Sequence, residues 1–222
     1  MKAIILILGC LAVVAQCTFN FTKCPAYYEL QSDRVKADFD LNKMTGKFYE
    51  LAFHDYTQYP SCPKPDCITA DKAIDRNLNQ INDTFTLGCF GKGYTVPLRF
   101  DITDTPGFFI GEQSVVKQIK FPDTVIDYKL SEDGSEYEWI IEFQCDEALG
   151  RILFTGINFY ARHHDVTDEY YNEFIQAGRD RGIGVYMDAG FGLTKVAHPS
   201  TCWYNNVSAE VMEMPSDEIY EE

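Results

Sequence analysis

Positive charge is scarce in this chain of 222 residues: 19 Lys and Arg stand against 34 Asp and Glu, a formal net charge of −15. A field of that sign repels phosphate backbones and anionic bilayers, which sets nucleic acid aside as a partner. Long apolar runs are also missing. After the first residues no stretch approaches the roughly 18 apolar positions that a span needs, so stable membrane insertion is not expected. The sequence has no Gly-x-Ser-x-Gly, no phosphate-binding glycine loop and no His-Glu-x-x-His. It shows no internal repeat and no mark of a second domain. His163-His164-Asp165 invites a metal, but adjacent side chains diverge and no Cys or His at i+3 or i+4 completes the ligand set that zinc takes. Neither a metal nor a cofactor is expected.

What is present is 45% hydrophobic and 14% aromatic residues, enough for a well-filled core in one domain. Lys2, the apolar residues 3–15 and the small Ala15 and Cys17 have the pattern of a secretory signal over residues 1–17, cleaved between Cys17 and Thr18. Its removal leaves Cys24, Cys62, Cys67, Cys89, Cys145 and Cys202, an even set that an oxidising compartment pairs completely, with connectivity open from spacing alone. Sequons at Asn20, Asn82 and Asn206 agree with a secretory route to the extracellular space. The mature domain is read as 18–205. Residues 206–222 form an acidic tail, six acids and no base from Ala209 onward, expected to be disordered or to act as a docking peptide.

From Gly46 to Ala161 the pattern is all-β. Short segments rich in β-branched and aromatic residues alternate with turn clusters at Asn82-Asp83, Gly91-Lys92-Gly93, Thr105-Pro106-Gly107 and Asp133-Gly134-Ser135. Eight strands are predicted, over 46–55, 67–76, 80–89, 94–104, 107–119, 122–131, 136–145 and 151–161. Two alternate cleanly. Tyr94, Val96, Leu98, Phe100 and Ile102 share one face, and Tyr137, Trp139, Ile141 and Phe143 oppose Glu136, Glu138, Glu142 and Gln144. Eight antiparallel strands can close an up-and-down barrel around one small ligand. After Arg162 the period becomes helical: Tyr170, Phe174, Ile175 and Arg179 form a stripe that Thr167 opens and Gly178 or Gly182 ends.

Cys24-Pro25, Phe39-Asp40 and Gly46-Lys47-Phe48-Tyr49-Glu50 resemble the entrance of a lipocalin, in particular the apolipoprotein D and bilin-binding branch. The resemblance continues through Cys67-Ile68-Thr69-Ala70, Tyr137-Glu138-Trp139, Tyr160-Ala161-Arg162 and Cys202, about 180 residues in order. It implies an eight-stranded lipocalin barrel with one C-terminal α-helix packed outside. The usual tryptophan is Phe48 here, and Arg162 over Phe48 makes a cation–π pair worth roughly 0.5–2 kcal/mol. The Thr-Asp-Tyr motif is poorly kept, with Ile126-Asp127-Tyr128 and Ser135-Glu136-Tyr137 as imperfect candidates. A second resemblance, to the lipocalin domain of violaxanthin de-epoxidase, rests on Gly107-Phe108-Phe109, the segment 157–162 and Ser200-Thr201-Cys202.

Carried over residue by residue, the first resemblance implies Cys67–Cys202 and Cys24–Cys145. Cys62 and Cys89, placed near the barrel mouth, are left to form a third bridge, or else Cys89 is a thiol worth testing. The expected calyx lining is His54, Tyr94, Leu98, Phe100, Ile126, Tyr128, Trp139, Ile141 and Phe143, with Gly46, Phe48 and Arg162 as the closed-end motif. No catalytic residue is assigned: Asp101 and Asp127 fall on outward faces in this register. The expected function is a secreted, non-enzymatic carrier of a small hydrophobic ligand: a fatty acid, sterol, retinoid, bilin or carotenoid. The excess acid disfavours anionic ligands unless Arg99 or Lys72 turns inward. The alternatives are an enzyme of the de-epoxidase kind acting on a lipid or carotenoid, and an interaction protein with a filled barrel. The sequence assigns neither a receptor nor an oligomeric state.

Overall fold

A computed structural model describes residues 23–55, 58, 62, 64–113, 120–205 and 211–213. The leader at 1–17 and the sequons at Asn20 and Asn206 lie outside these residues. Two short helices, α1 (Tyr27–Leu30) and α2 (Asp33–Asp38), and a 3-10 turn (Leu41–Met44) lead into eight strands. These are β1 (Gly46–His54), β2 (Asp66–Asp75), β3 (Gln80–Cys89), β4 (Lys92–Ile102), β5 (Phe108–Gln113), β6 (Lys120–Leu130), β7 (Tyr137–Ala148) and β8 (Arg151–Ala161). Each pairs antiparallel with its successor, and β8 returns to β1 from Tyr49↔Ala161 to His54↔Ile157. The result is a closed up-and-down barrel, and closure leaves no long sheet edge unpaired.

Helix α3 (Asp168–Asp180) follows, opened by the Thr167 hydroxyl accepting from the Tyr170 N–H at 3.2 Å. Its buried Phe174 lies 4.7 Å from the Trp139 ring and 5.2 Å from the Phe159 ring, on the outside of β7 and β8. Gly178 permits this close approach, since a Cβ there would meet Phe159 at 2.9 Å. A second short helix, α4 (Gly184–Met187), seats Tyr186 against Phe143. Strand β9 (Thr194–Lys195) adds to β1. Within the acidic tail, β10 (Val211–Glu213) pairs in parallel with Gly93, Tyr94 and Thr95 of β4. The rest of 206–222 lies outside the described residues.

Two apolar clusters result. One fills the barrel from Phe48, Ile81, Phe85 and Phe100 to Tyr137 and Ile140, while the other lies between barrel and helix and contains Ile126, Trp139, Ile141, Phe143, Phe159 and Phe174. Disulfides join Cys24–Cys145, Cys62–Cys89 and Cys67–Cys202, with Cα separations of 5.7, 5.8 and 5.5 Å. At the closed end the Arg162 guanidinium sits 3.7 Å over the Phe48 ring. It donates to the carbonyls of Lys47, Thr45, Lys43 and Tyr137 at 2.8–3.1 Å. Gly46, at φ +93°, leaves room for it, because a Cβ would stand 3.2 Å from Nη1.

Candidate functional site: the barrel interior

Directly opposed residues of an antiparallel pair share a face, so the register sorts side chains into inner and outer. Leu87↔Tyr94, Phe85↔Val96, Asp83↔Leu98 and Ile81↔Phe100 put the alternating face of β4 inside. Phe100 is buried, whereas Tyr94, Val96 and Leu98 are only half-buried. The half-buried stretch of this inner face runs from Tyr94 to Leu98, the residue opposite Asp83, and packs against the barrel core.

Next to that stretch the interior is polar. Lys72 Nζ lies 2.6 Å from Asp83 Oδ2 and 3.1 Å from Glu142 Oε1, with the Phe100 and Tyr160 rings 5.4 and 5.2 Å away. Asp123, opposite Gln144 on the inner face of β6, completes the group. Lys72, Asp83, Asp123 and Glu142 are each 3% exposed or less. Beside them Glu50 accepts from Asn158 Nδ2 at 2.5 Å and from Gln58 Nε2 at 3.2 Å.

Four carboxylates therefore face one ammonium, and burial decides their protonation. Desolvation raises Asp123 well above the usual carboxylate range, the Glu142 charge adds to this, and Lys72 opposes it. Glu50 is likewise raised well above its ordinary value, and Glu142 is raised, by burial in both cases. Burial alone pulls Lys72 down, but Asp83 and Glu142 outweigh it and hold the ammonium charged. Even so, acceptor atoms are left over. Asp83 Oδ1, Asp123 Oδ1, Asn158 Oδ1 and Gln58 Oε1 are buried without a hydrogen-bond partner, and Glu142 Oε1, close to Nζ, is not aligned for one.

Of the expected lining, Tyr94, Leu98 and Phe100 face the interior, and so does Tyr128, which sits at the closed end 4.4 Å from the Tyr137 ring. Trp139, Ile141 and Phe143 do not: they face outward beneath α3 and α4. The dry face of β7 is its outer one because the helices cover it, so Glu142 and Gln144, read as its wet face, point inside. Ile126 is also outside, in the bulge between Val125 and Asp127. His54 faces outward because a bulge between Glu50 and Ala52 breaks the parity counted from Phe48; its Nδ1 lies 2.9 Å from Gly192 O and its ring stacks on Phe191. Asp101 and Asp127 are outward, Asp127 accepting from Arg34 Nε at 2.6 Å. Asn82 is exposed on the outer face of β3.

Sequence reasoning missed Glu50, Asp83, Asp123, Glu142, Gln144 and Asn158, and named Lys72 only as a condition. The available signal was the apolar stripe of α3, which demands an apolar patch outside the barrel and so assigns β7 its polar face inside.

A groove of about 500 Å³ lies outside the barrel, lined by Leu51, His164, Tyr171, Lys195 and His198. Its buried histidine is already satisfied: Nε2–H donates to Glu50 O at 2.8 Å and Nδ1 accepts from the Tyr204 hydroxyl at 2.9 Å. Burial lowers His198 to about 4, so it is neutral at physiological pH. Among the described residues no three His, Cys, Asp or Glu side chains converge as metal ligands.

No protein-family model matches the chain, and no curated protein matches it in sequence. Solved structures do. Lobster apocrustacyanin A1 superposes with a TM-score of 0.60 at 12% identity, over 82% of this chain and 92% of that one. Apocrustacyanin C1 gives 0.60 at 13% identity over the same shares, and H1 crustacyanin from the lobster Homarus americanus gives 0.56 at 12%, over 82% and 90%. At such identities the likeness is one of fold.

Proposed function

We propose that this chain, whose barrel has the lipocalin fold, is a secreted carrier that binds a small, largely hydrophobic ligand in its calyx. The observation that carries the reading is the half-buried inner face of β4, where Tyr94, Val96 and Leu98 present apolar surface that the core leaves partly uncovered. The leader pattern at 1–17 and the pairing of all six remaining cysteines support the extracellular assignment. Burying about 25 ligand atoms at roughly 0.3 kcal/mol each gives a dissociation constant of order micromolar.

Leu98 and Arg99 are neighbours on opposite faces of β4, which makes a paired test. Titration with a fluorescent apolar probe should show Leu98→Glu weakening binding at least about tenfold, since it buries a carboxylate in the site, and Arg99→Glu leaving it unchanged. Equal affinities in the two variants would tell against the calyx.

A second reading, an enzyme of the de-epoxidase kind acting on a lipid or carotenoid, is favoured by one observation: buried carboxylates do line the barrel, and Asp123 is protonated well above the usual carboxylate range. Its signature is turnover of a bound lipid or carotenoid that Asp123→Asn abolishes, whereas a carrier returns the ligand chemically intact.

A further inference from the structure

By side-chain type the interior is unbalanced in one direction. Lys72 is the only cation facing Glu50, Asp83, Asp123 and Glu142 among the described inner-face residues. It is already engaged by two of these carboxylates. Independently of charge, the neutral amides contribute to the surplus of acceptors, since Asn158 Oδ1 and Gln58 Oε1 are buried and unpartnered alongside Asp83 Oδ1 and Asp123 Oδ1. Buried acceptors left without donors are costly, and a donor brought in by a ligand relieves that cost. An anionic head group brings further acceptors and no donor.

Leu98, half-buried, stands directly opposite Asp83, so the partly uncovered inner face of β4 borders the acids. We propose that the ligand is an amphiphilic amine whose ammonium group seats against Asp123, with Asp83, Glu142 and Asn158 around it, and whose apolar body extends along Leu98, Val96 and Tyr94 toward the mouth. The inference rests on the carrier reading of the barrel and names the chemical class of its cargo. An ammonium supplies the donors that the orphaned oxygens lack and neutralises a carboxylate; a hydroxyl supplies one donor and no charge.

Binding also has a proton signature. Asp123 is faced by Glu142 and Gln144 from β7, Lys72 from β2, Asp83 from β3 and Tyr160 from β8. Burial among these groups holds it protonated in the empty barrel, so seating a cation expels a proton. The affinity for an amine then rises with pH for as long as the amine and Lys72 stay charged.

The test uses the full secreted chain and three probes on one apolar body: octylamine, 1-octanol and octanoate, titrated by calorimetry. Charge-assisted hydrogen bonding at the seat should make octylamine about tenfold tighter than octanol, with octanoate weakest. Asp123→Asn should remove most of that tenfold preference, and a thermal melt of each variant checks its folding; Asp123→Ser serves if the first variant does not fold. Octanol or octanoate binding as tightly as the amine would overturn the inference while leaving the carrier reading standing. A preference for amine unchanged in both Asp123 variants would overturn the seat. Failure of all three probes to bind would overturn the carrier reading together with the inference.

Discussion

An ammonium sealed inside a barrel stays charged only if carboxylates compensate the lost hydration, and Lys72 does so through Asp83 and Glu142. Glu142 then performs two tasks, balancing Lys72 and raising Asp123 by its own charge. Carboxylates whose pKa is raised in the folded state contribute stability that is complete below their unfolded values near pH 4 and lost as pH climbs through the raised ones. Asp123, Glu50 and Glu142 therefore make the empty protein less stable at neutral than at mildly acidic pH. Removing the ammonium sharpens this dependence. Lys72→Met should destabilise the chain by about 3–5 kcal/mol at pH 7.5, because it leaves buried charge uncompensated, and by clearly less at pH 5, where the acids accept protons. Urea unfolding at the two pH values checks this; an equal loss at both would mean that the acids do not titrate with folding.

At the scale of elements, β4 and β7 show what alternation encodes. In both strands the sequence separates a dry face from a wet one; the dry face of β4 stays together, and in β7 Trp139, Ile141 and Phe143 do, while Tyr137, beyond the register shift at Lys129 and Leu130, turns inside. For β4 the dry face is the inner one, since its alternating apolar residues oppose Leu87, Phe85 and Ile81 of β3 inside the barrel. For β7 the dry face is the outer one, because α3 covers it with Phe174. Period 2 cannot tell these cases apart; only the partner of each face can. Trp139→Ala should accordingly cost about 3–5 kcal/mol of stability, as removal of a fully packed aromatic does. Its effect on ligand affinity should be smaller than that of Leu98→Glu. Denaturant midpoints paired with probe titration distinguish the two, and a Trp139→Ala variant of normal stability with lost binding would place that ring back inside.

The existence and order of the eight strands and of α3 were legible, since each is a long periodic segment bounded by turn residues. So was the closed end, where the short-range motif around Gly46 and Phe48 meets Arg162. His54, Ile126 and the buried acids were not legible. His54 and Ile126 were hidden by bulges, each a single inserted residue that reverses every face beyond it. The acids were hidden by the expectation that carboxylates face water. That expectation fails when a barrel has both a covered outside and a polar floor.

For the whole molecule, the disulfides tie the barrel to the chain on either side of it. Cys24–Cys145 fastens the N-terminal segment to β7, Cys67–Cys202 fastens the segment beyond β9 to β2, and Cys62–Cys89 closes the β1–β2 connection against the end of β3. Loops this long stabilise by roughly 2–5 kcal/mol per bridge in the chain-entropy picture, which leaves the barrel free to hold unpaired acceptors in its floor. A half-buried apolar inner wall, a polar floor and a braced rim are the features on which the proposed carrier reading rests. The most direct test is a native mass spectrum of the chain secreted from eukaryotic cells under non-reducing conditions. The account predicts a mature protein beginning near Thr18 and six hydrogens lighter than its reduced form, consistent with the three bridges. It also predicts a bound mass of a few hundred daltons that leaves on denaturation, in the size range of single-ligand calyx cargo. A spectrum that is empty, and that stays empty after incubation with lipids, retinoids, bilins, carotenoids and alkyl amines, would contradict it.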